Sequence, residues 1–154
     1  MSLAGGVVAF LLDRGHKFYQ VDVVGWSGGE YLRVTDFFDY VLVWNTGISY
    51  GLFGDMPLAV LGIVIALAIA ALVVWWWNAA HAVVQLGLMF CIGGAASNAV
   101  DRVLYGAVAD FFHFHWGETS FYIFNIADVA ISLGVLLLIL DLLGFGHKKP
   151  PEAT

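Results

Sequence analysis

The chain has 154 residues, of which 61% are hydrophobic and only 12% are charged. Soluble domains carry about 25% charged residues, so this composition indicates a protein of the lipid bilayer. The formal net charge of −6 argues against a nucleic-acid partner, which requires a basic surface, and the single cysteine, Cys91, excludes an internal disulfide and any multi-cysteine metal site.

The first apolar segment is short, because residues 1–12 carry no charge and Asp13 and Arg14 follow them. A membrane-spanning helix takes about 20 residues, so this one must continue towards Tyr19 to cross. No basic residue precedes the segment and no small-x-small cleavage site follows it, which argues against a cleaved signal peptide. We therefore predict a first span over about residues 1–19.

Residues 28–53 have a different character, with β-branched and aromatic residues in partial alternation. This pattern predicts short strands in a loop outside the membrane. Asp55 and Pro57 then indicate the start of a helix, with Asp55 as its cap.

Three further segments are long and apolar enough to cross a bilayer as helices, over residues 56–77, 79–100 and 121–143. Residues 101–120 are predicted to form an interfacial loop, because aromatic residues such as Phe111 and Trp116 suit the membrane surface. Four spans place both termini on one side, and Lys148 and Lys149 favour the cytoplasm for that side. The strand-rich loop is then extracytoplasmic.

The predicted fold class is therefore a membrane all-α fold. It is a four-transmembrane-helix bundle with a small extracytoplasmic β-strand-rich loop and an interfacial loop or helix. Residues 1–154 are predicted to form one integral-membrane domain, present as a monomer surrounded by membrane lipid.

Polar side chains converge at one end of this bundle. Asn125 and Asp128 lie one helical turn apart in the last span, where a carboxylate near the bilayer centre costs about 2.5–3.5 kcal/mol. Asn98, Asp101 and Arg102 share one face at the end of the preceding span, and Asp110 follows in the loop. A structural ion pair between Asp128 and Arg102 would explain only part of this cluster.

Two neighbouring carboxylates in a partly dry site share a proton, so one can activate water while the other protonates a carbonyl oxygen. This pattern favours direct acid–base peptide hydrolysis. A serine mechanism would need Ser97, Ser120 or Ser132 beside a positioned histidine, and the sequence has no nucleophile-elbow motif. A metal site could use His113, His115, Asp110 and Asp128, but no H-E-x-x-H helix is present.

A small proton-coupled transporter or relay subunit is the alternative interpretation, because such proteins also carry intramembrane Asp, Asn and Arg. Transporters tend to place these groups near the midplane and to repeat their topology. Here the polar groups gather at one end and no internal repeat is visible. A purely structural membrane subunit would leave the convergence of Asp110 and Asp128 without a purpose.

The arrangement of these residues resembles the lipoprotein signal peptidase (signal peptidase II) family of bacterial inner-membrane aspartic peptidases. The motifs that carry the resemblance are Asn45-Thr46-Gly47, Asn98-x-x-Asp101-Arg102-x-x-x-Gly106-x-Val108-x-Asp110-Phe111 and Phe124-Asn125-x-Ala127-Asp128-x-x-Ile131-x-x-Gly134. Residues 13–17 form a looser fourth block, similar to the family's D-Q-x-x-K, in which Arg14 stands where Gln is usual. Other departures are Ile48-Ser49-Tyr50, Ser97 and Tyr122.

The resemblance implies that Asp110 and Asp128 are the catalytic pair. It implies that Asn45, Asn98, Arg102 and Asn125 hold the substrate backbone and the neighbouring helices, and that Asp13 and Asp101 support them. The implied substrates are diacylglyceryl-modified prolipoproteins, cut just before the lipidated cysteine, with no cofactor and no metal. The implied location is the inner membrane, with cytoplasmic termini and an active site near the extracytoplasmic face.

Overall fold

The computed structural model describes residues 2–47 and 57–144. Within them, four α-helices carry most of the chain: α1 (Ser2–Phe18), α2 (Leu58–Asn78), α3 (Ala82–Tyr105) and α4 (Ile126–Leu142). Four strands make one antiparallel sheet: β1 (Tyr31–Arg33), β2 (Phe38–Asn45), β3 (Val108–Trp116) and β4 (Thr119–Phe124). The predicted cap at Asp55, the Ile48-Ser49-Tyr50 departure, and Lys148 and Lys149 lie outside the described residues.

Helix α1 continues through its charged residues, as the sequence required for a first span. Asp13 and Lys17 are both fully buried in it, and a π-helical turn extends it over Tyr19–Val23. A carboxylate and an ammonium four residues apart lie on one helical face, so they pair at 2.8 Å and reduce the cost of leaving water.

Helices α2 and α3 are long and apolar enough to span a membrane. They differ in their surroundings, because α2 exposes most of its side chains whereas α3 packs against α1, α2 and α4. Helix α3 is therefore the centre of the bundle. Its boundaries differ from the predicted segment 79–100, since it runs on through Asp101 and Arg102 to Tyr105.

Small residues let the neighbouring helices approach α3 closely. A Cβ atom at Gly94 would lie 2.5 Å from the Ala127 carbonyl of α4, and one at Gly87 would lie 2.8 Å from the Gly134 carbonyl. Gly93 faces the backbone of Gly6 in α1 in the same way. The contacts at Gly93 and Gly94 lie about one turn before Asn98, and the contact at Gly87 lies further back along α3. Together they hold α1 and α4 close against α3.

The sheet has the strand order β1-β2-β3-β4. One part of it buries Leu42, Ala109 and Phe111 against Trp26 and Trp44. The prediction of strands before α2 is confirmed, but the prediction of an interfacial loop or helix over residues 101–120 is wrong. The alternating, aromatic-rich segment after Tyr105 instead forms β3, which gains backbone hydrogen bonds from both β2 and β4.

The last predicted span also begins too early. Phe121–Phe124 belong to β4, and α4 begins only at Ile126. An apolar strand and the start of an apolar helix are equally hydrophobic, so hydropathy alone joins them. Asp128 consequently lies in the first turn of α4 and not deep within a span.

Candidate active site

Asp110 reaches the helix ends because the chain reverses sharply after α3. Gly106 ends α3 with a φ of +75°, a left-handed conformation that glycine adopts without steric cost, and its N–H donates to the Arg102 carbonyl. Strand β3 starts at once and pairs Asp110 with Val43 of β2. The carboxylate is 3% exposed and therefore nearly sealed within the fold.

Asp128 is fixed by the start of α4. Asn125 is the N-cap, and its Oδ1 accepts from the Asp128 N–H at 3.0 Å, while the Asp128 Oδ2 accepts from the Asn125 N–H at 3.2 Å. This reciprocal capping box holds the Asp128 carboxylate at the positive end of the helix dipole. The helix start contributes in favour of the ionised form of this carboxylate.

Three asparagines from three elements donate to the two carboxylates. Asn45 Nδ2 lies 3.1 Å from Asp110 Oδ2, and Asn125 Nδ2 lies 2.6 Å from Asp110 Oδ1. Asn98 Nδ2 lies 2.9 Å from Asp128 Oδ1. The site thus joins β2, α3 and the start of α4 around one pair of acids.

Each asparagine has its amide oxygen held by another donor, so each amide nitrogen is directed at a carboxylate. Asn45 Oδ1 accepts from the Gly47 N–H at 3.0 Å, and Asn98 Oδ1 accepts from Lys17 Nζ at 2.9 Å. The oxygen of Asn125 is occupied by the helix cap. An amide has two distinct ends, and these contacts determine which end meets the acid.

Arg102 links α3 to the segment after β2. Its Nη1 donates to the Asn98 carbonyl at 3.2 Å and its Nη2 to the Gly47 carbonyl at 2.7 Å. Its Nε is buried and has no hydrogen-bond partner in the described structure. A planar guanidinium can bridge two backbone carbonyls in this way, whereas an ammonium is a single point donor.

A buried ion cluster of Asp13, Arg14, Lys17 and Asp101 lies next to the carboxylate pair. Lys17 Nζ lies 2.8 Å from Asp13 and 2.6 Å from Asp101, and Arg14 pairs with the other oxygen of Asp101. Asp13 also accepts from Ser97 Oγ at 2.6 Å. Asp101 and Asp13 also accept the backbone N–H groups of Ala109 and Ala127, which precede Asp110 and Asp128 in the chain. Lys17 was not among the predicted site residues, although its i, i+4 spacing from Asp13 indicated a pair.

Both carboxylates line one cavity of about 310 Å³. Its polar wall contains Asn45, Asn98 and Arg102, and its apolar wall is made by Ile65, Ala95, Val108, Phe121, Tyr122, Ile123, Phe124 and Ile131. A second cavity of about 550 Å³ continues from Asp110 past Asn45 to Ser120. The two cavities therefore leave room beside both carboxylates for an extended peptide that carries an apolar group.

Burial, and after it the nearby charge of Asp128, raises the pKa of Asp110 to about 7. The hydrogen bonds from Asn45 and Asn125 act in the opposite direction but do not outweigh burial. Asp110 can therefore hold a proton near neutral pH, while Asp128 accepts a backbone N–H at a helix start.

The histidines predicted as possible metal ligands do not reach this pair. His113 and His115 lie 3.3 and 3.0 Å from Asp39 on the sheet, and His113 Nε2 lies 2.6 Å from Ser120 Oγ. Across residues 2–47 and 57–144, no three His, Cys, Asp or Glu side chains are arranged to hold a metal ion. Ser120 does have a positioned histidine, which the sequence did not reveal.

The fold is similar to that of bacterial membrane enzymes. A bacterial membrane enzyme solved by the in meso method at 2.3 Å superposes with a TM-score of 0.84 and 26% identity, covering 99% of this chain and 93% of that chain. A second, solved at 1.9 Å, gives a TM-score of 0.78 with 27% identity and 92% coverage of both chains.

Residues 6–144 match the family described as signal peptidase (SPase) II. The lipoprotein signal peptidase of Beijerinckia indica is 45% identical over 89% of this chain and 86% of its own length. That of Methylorubrum extorquens is 46% identical over 94% of this chain and 89% of its own length. The chain belongs to the signal peptidase II family, and it is a membrane-embedded aspartic peptidase.

Proposed function

We propose that this peptidase removes the signal peptide from diacylglyceryl-modified prolipoproteins, cutting just before the lipidated cysteine. The observation that carries the proposal is the convergence of Asp110 and Asp128 on one cavity whose other wall is apolar. The polar wall suits an extended peptide backbone, and the apolar wall suits a lipid chain or a signal-peptide side chain. The names of the relatives are consistent with this activity.

The two acids have different roles in the proposed mechanism. Asp128, at a helix start and partly open to the cavity, begins ionised and takes a proton from water. Asp110, nearly sealed and with its pKa raised to about 7, begins protonated and donates to the scissile carbonyl oxygen. The resulting hydroxide adds to the carbonyl carbon and gives a gem-diol intermediate. Its nitrogen then takes the proton held by Asp128 and the C–N bond breaks, while one hydroxyl returns a proton to Asp110, so both acids regain their starting states.

The surrounding donors hold this pair ready for the reaction. Asn45, Asn98 and Asn125 fix the two carboxylates. Arg102 lines the same cavity, where its guanidinium can donate to the substrate backbone. The strands above the cavity cover the peptide and reduce its contact with water, which strengthens the electrostatic interactions inside.

We further propose that all four helices span the bacterial inner membrane, with both termini in the cytoplasm and the sheet on the extracytoplasmic side. Helix α4 has 17 residues, and α1 has 17 before its π-helical turn, which is at the short end for a span. Both expose large apolar residues such as Leu11 and Leu136, which suit a lipid environment. Both acids come from one chain, so a monomer suffices.

The test is a cleavage assay with purified protein and two synthetic peptides that differ only in the diacylglyceryl group on the cysteine. We expect cleavage before the lipidated cysteine and poor or no cleavage of the unmodified peptide. Exhaustive chelation should leave the rate unchanged, and so should Ser120→Ala. Equal rates on both peptides would indicate a general membrane peptidase, and loss of turnover in Ser120→Ala would favour the serine at His113.

A further inference from the structure

Lys17 is a buried cation whose three ammonium protons each meet an acceptor within the protein. The acceptors are Asp13 Oδ2 at 2.8 Å, Asp101 Oδ2 at 2.6 Å and Asn98 Oδ1 at 2.9 Å. The side chain is fully buried and does not line the cavity. Lys17 therefore has no proton to offer a substrate, and it can influence the reaction only through its neighbours.

The charges of this cluster balance. Asp13 and Asp101 supply two negative charges, and Lys17 and Arg14 supply two positive ones. Buried ions are tolerated when they are paired and hydrogen-bonded, so the cluster needs both cations. Arg14 contacts Asp101 but not Asn98. Of the two cations, only Lys17 can therefore act on the catalytic acids through Asn98.

Asn98 connects Lys17 to Asp128. Its Oδ1 accepts from Lys17 and from Asn125 Nδ2 at 3.1 Å, and its Nδ2 donates to Asp128 at 2.9 Å. Rotating the amide by 180° would turn its NH₂ towards two other donors and its oxygen towards the carboxylate. Both changes are electrostatically unfavourable, and the full positive charge of Lys17 makes the first one worse.

We infer that Lys17 is a positioning residue for the proposed reaction, which holds the Asn98 amide so that its NH₂ donates to Asp128. The inference rests on the proposed function and deepens it. Lys17 orients Asn98, and Asn98 holds the Asp128 carboxylate that activates water. Lys17 itself contacts neither the water nor the substrate.

Lys17 also contributes to the electrostatic potential at Asp110. The charged groups that face Asp110 are Asp128 from α4, Arg102 from α3 and Lys17 from α1. The charge of Lys17 lowers the pKa of Asp110, opposing burial and the charge of Asp128. Removing Lys17 should consequently let Asp110 keep its proton to a higher pH, an effect that a purely structural contact would not produce.

The experiment measures kcat, KM and the pH dependence of kcat for Lys17→Met on the lipidated peptide. Methionine has a similar length and no charge. We expect kcat to fall about 100-fold, because a misplaced catalytic group costs about that much, while KM changes less than about twofold. The alkaline limb of the profile should move up by about one pH unit.

Arg14→Gln is the matched control, since it removes a cation from the same cluster without touching Asn98. We expect a lower melting temperature, a kcat within about threefold of the parent and an unchanged alkaline limb. If Lys17→Met does not fold, Asp13→Asn/Lys17→Met removes one ion pair as a unit and keeps the cluster neutral. The same loss of kcat is expected in that double variant, with a smaller pH shift because the negative charge of Asp13 is removed together with the positive charge of Lys17.

A folded Lys17 variant with the kcat and pH profile of the parent would overturn the inference, as would an equal pH shift in Arg14→Gln. These results differ from failure of the proposed function. If Asp110→Asn and Asp128→Asn both retain turnover, the two-aspartate reaction itself is wrong. If those variants are inactive and only the Lys17 variant behaves normally, the reaction stands and the positioning role falls.

Discussion

Asn125 and Asp128 cap the first turn of α4 reciprocally, each side chain accepting the backbone N–H of the other residue. One motif therefore both starts the helix and orients the acid. The Asn125 NH₂ that remains points at Asp110, 2.6 Å away. Helix capping and the placement of the two carboxylates are thus the same set of contacts.

Two substitutions at Asn125 should separate these functions. Serine is a good N-cap but has no NH₂ for Asp110, so Asn125→Ser should lose most turnover while unfolding at a higher temperature than Asn125→Ala. Asn125→Ala should lose turnover and also about 1 kcal/mol of stability. Thermal unfolding and the cleavage assay measure the two effects. Full activity in Asn125→Ser would show that Asp110 does not need this donor.

Turnover should depend on the proton held by Asp110. Because the pKa of this acid is raised to about 7, kcat should fall as the pH rises from about 6 to 8 and the acid loses its proton. A rate that stays constant to pH 9 would contradict the assignment of Asp110 as the proton donor.

The same shift predicts a pH-dependent stability. The native pKa lies above the unfolded value near 4, so the contribution of Asp110 is fully present below about pH 4 and is lost as the pH rises through about 7. Asp110→Asn has no such titration. Its melting temperature relative to the parent should therefore rise between pH 4 and 8, and a difference independent of pH would argue against a buried protonated acid.

Helix packing at Gly94 should be as important for the site as the polar residues. A Cβ there would meet the Ala127 carbonyl at 2.5 Å, next to Asp128, so Gly94→Ala must push α4 away from α3. We expect a loss of about 1–3 kcal/mol in thermal unfolding, together with reduced turnover.

Gly62→Ala is the control for this prediction, because no atom of the described residues lies within 4 Å of a Cβ added to Gly62 in α2. Alanine there should be neutral or stabilising by up to about 1 kcal/mol. Equal effects of the two substitutions would mean that the close approach of α3 and α4 is not needed.

The sequence predicted the composition of the site better than its architecture. The spacing around Asn98, Asp110 and Asp128 indicated that these residues meet, and the structure brings them to one cavity. The sequence could not reveal that residues 108–124 form two strands, since an apolar alternating segment fits a membrane interface and a sheet equally well. Only the partner strand β2, distant in sequence, decides between them.

The buried ion cluster was hidden for a similar reason. Lys17 stands at the end of an apolar segment, where a lysine usually extends its ammonium to the water interface. Its burial depends on Asp101 and Asn98, which are contributed by another helix. Ser120 and His113 likewise meet only because β3 and β4 pair.

The most direct test of the central claim compares cleavage of the lipidated peptide by Asp110→Asn, Asp128→Asn and the double variant. Asparagine keeps the shape of aspartate but can neither accept the proton of water nor return it. Asp36→Asn is the matched control, because Asp36 is exposed and pairs only with the exposed Arg33 in the described structure.

We expect both single variants to fold, to bind the peptide and to lose turnover by at least about 10⁴-fold, with the double variant scarcely worse, since residues acting as a unit are not additive. The Asp36 variant should match the parent. Substantial turnover in either Asp110→Asn or Asp128→Asn, with the cleavage site unchanged, would contradict a two-aspartate mechanism.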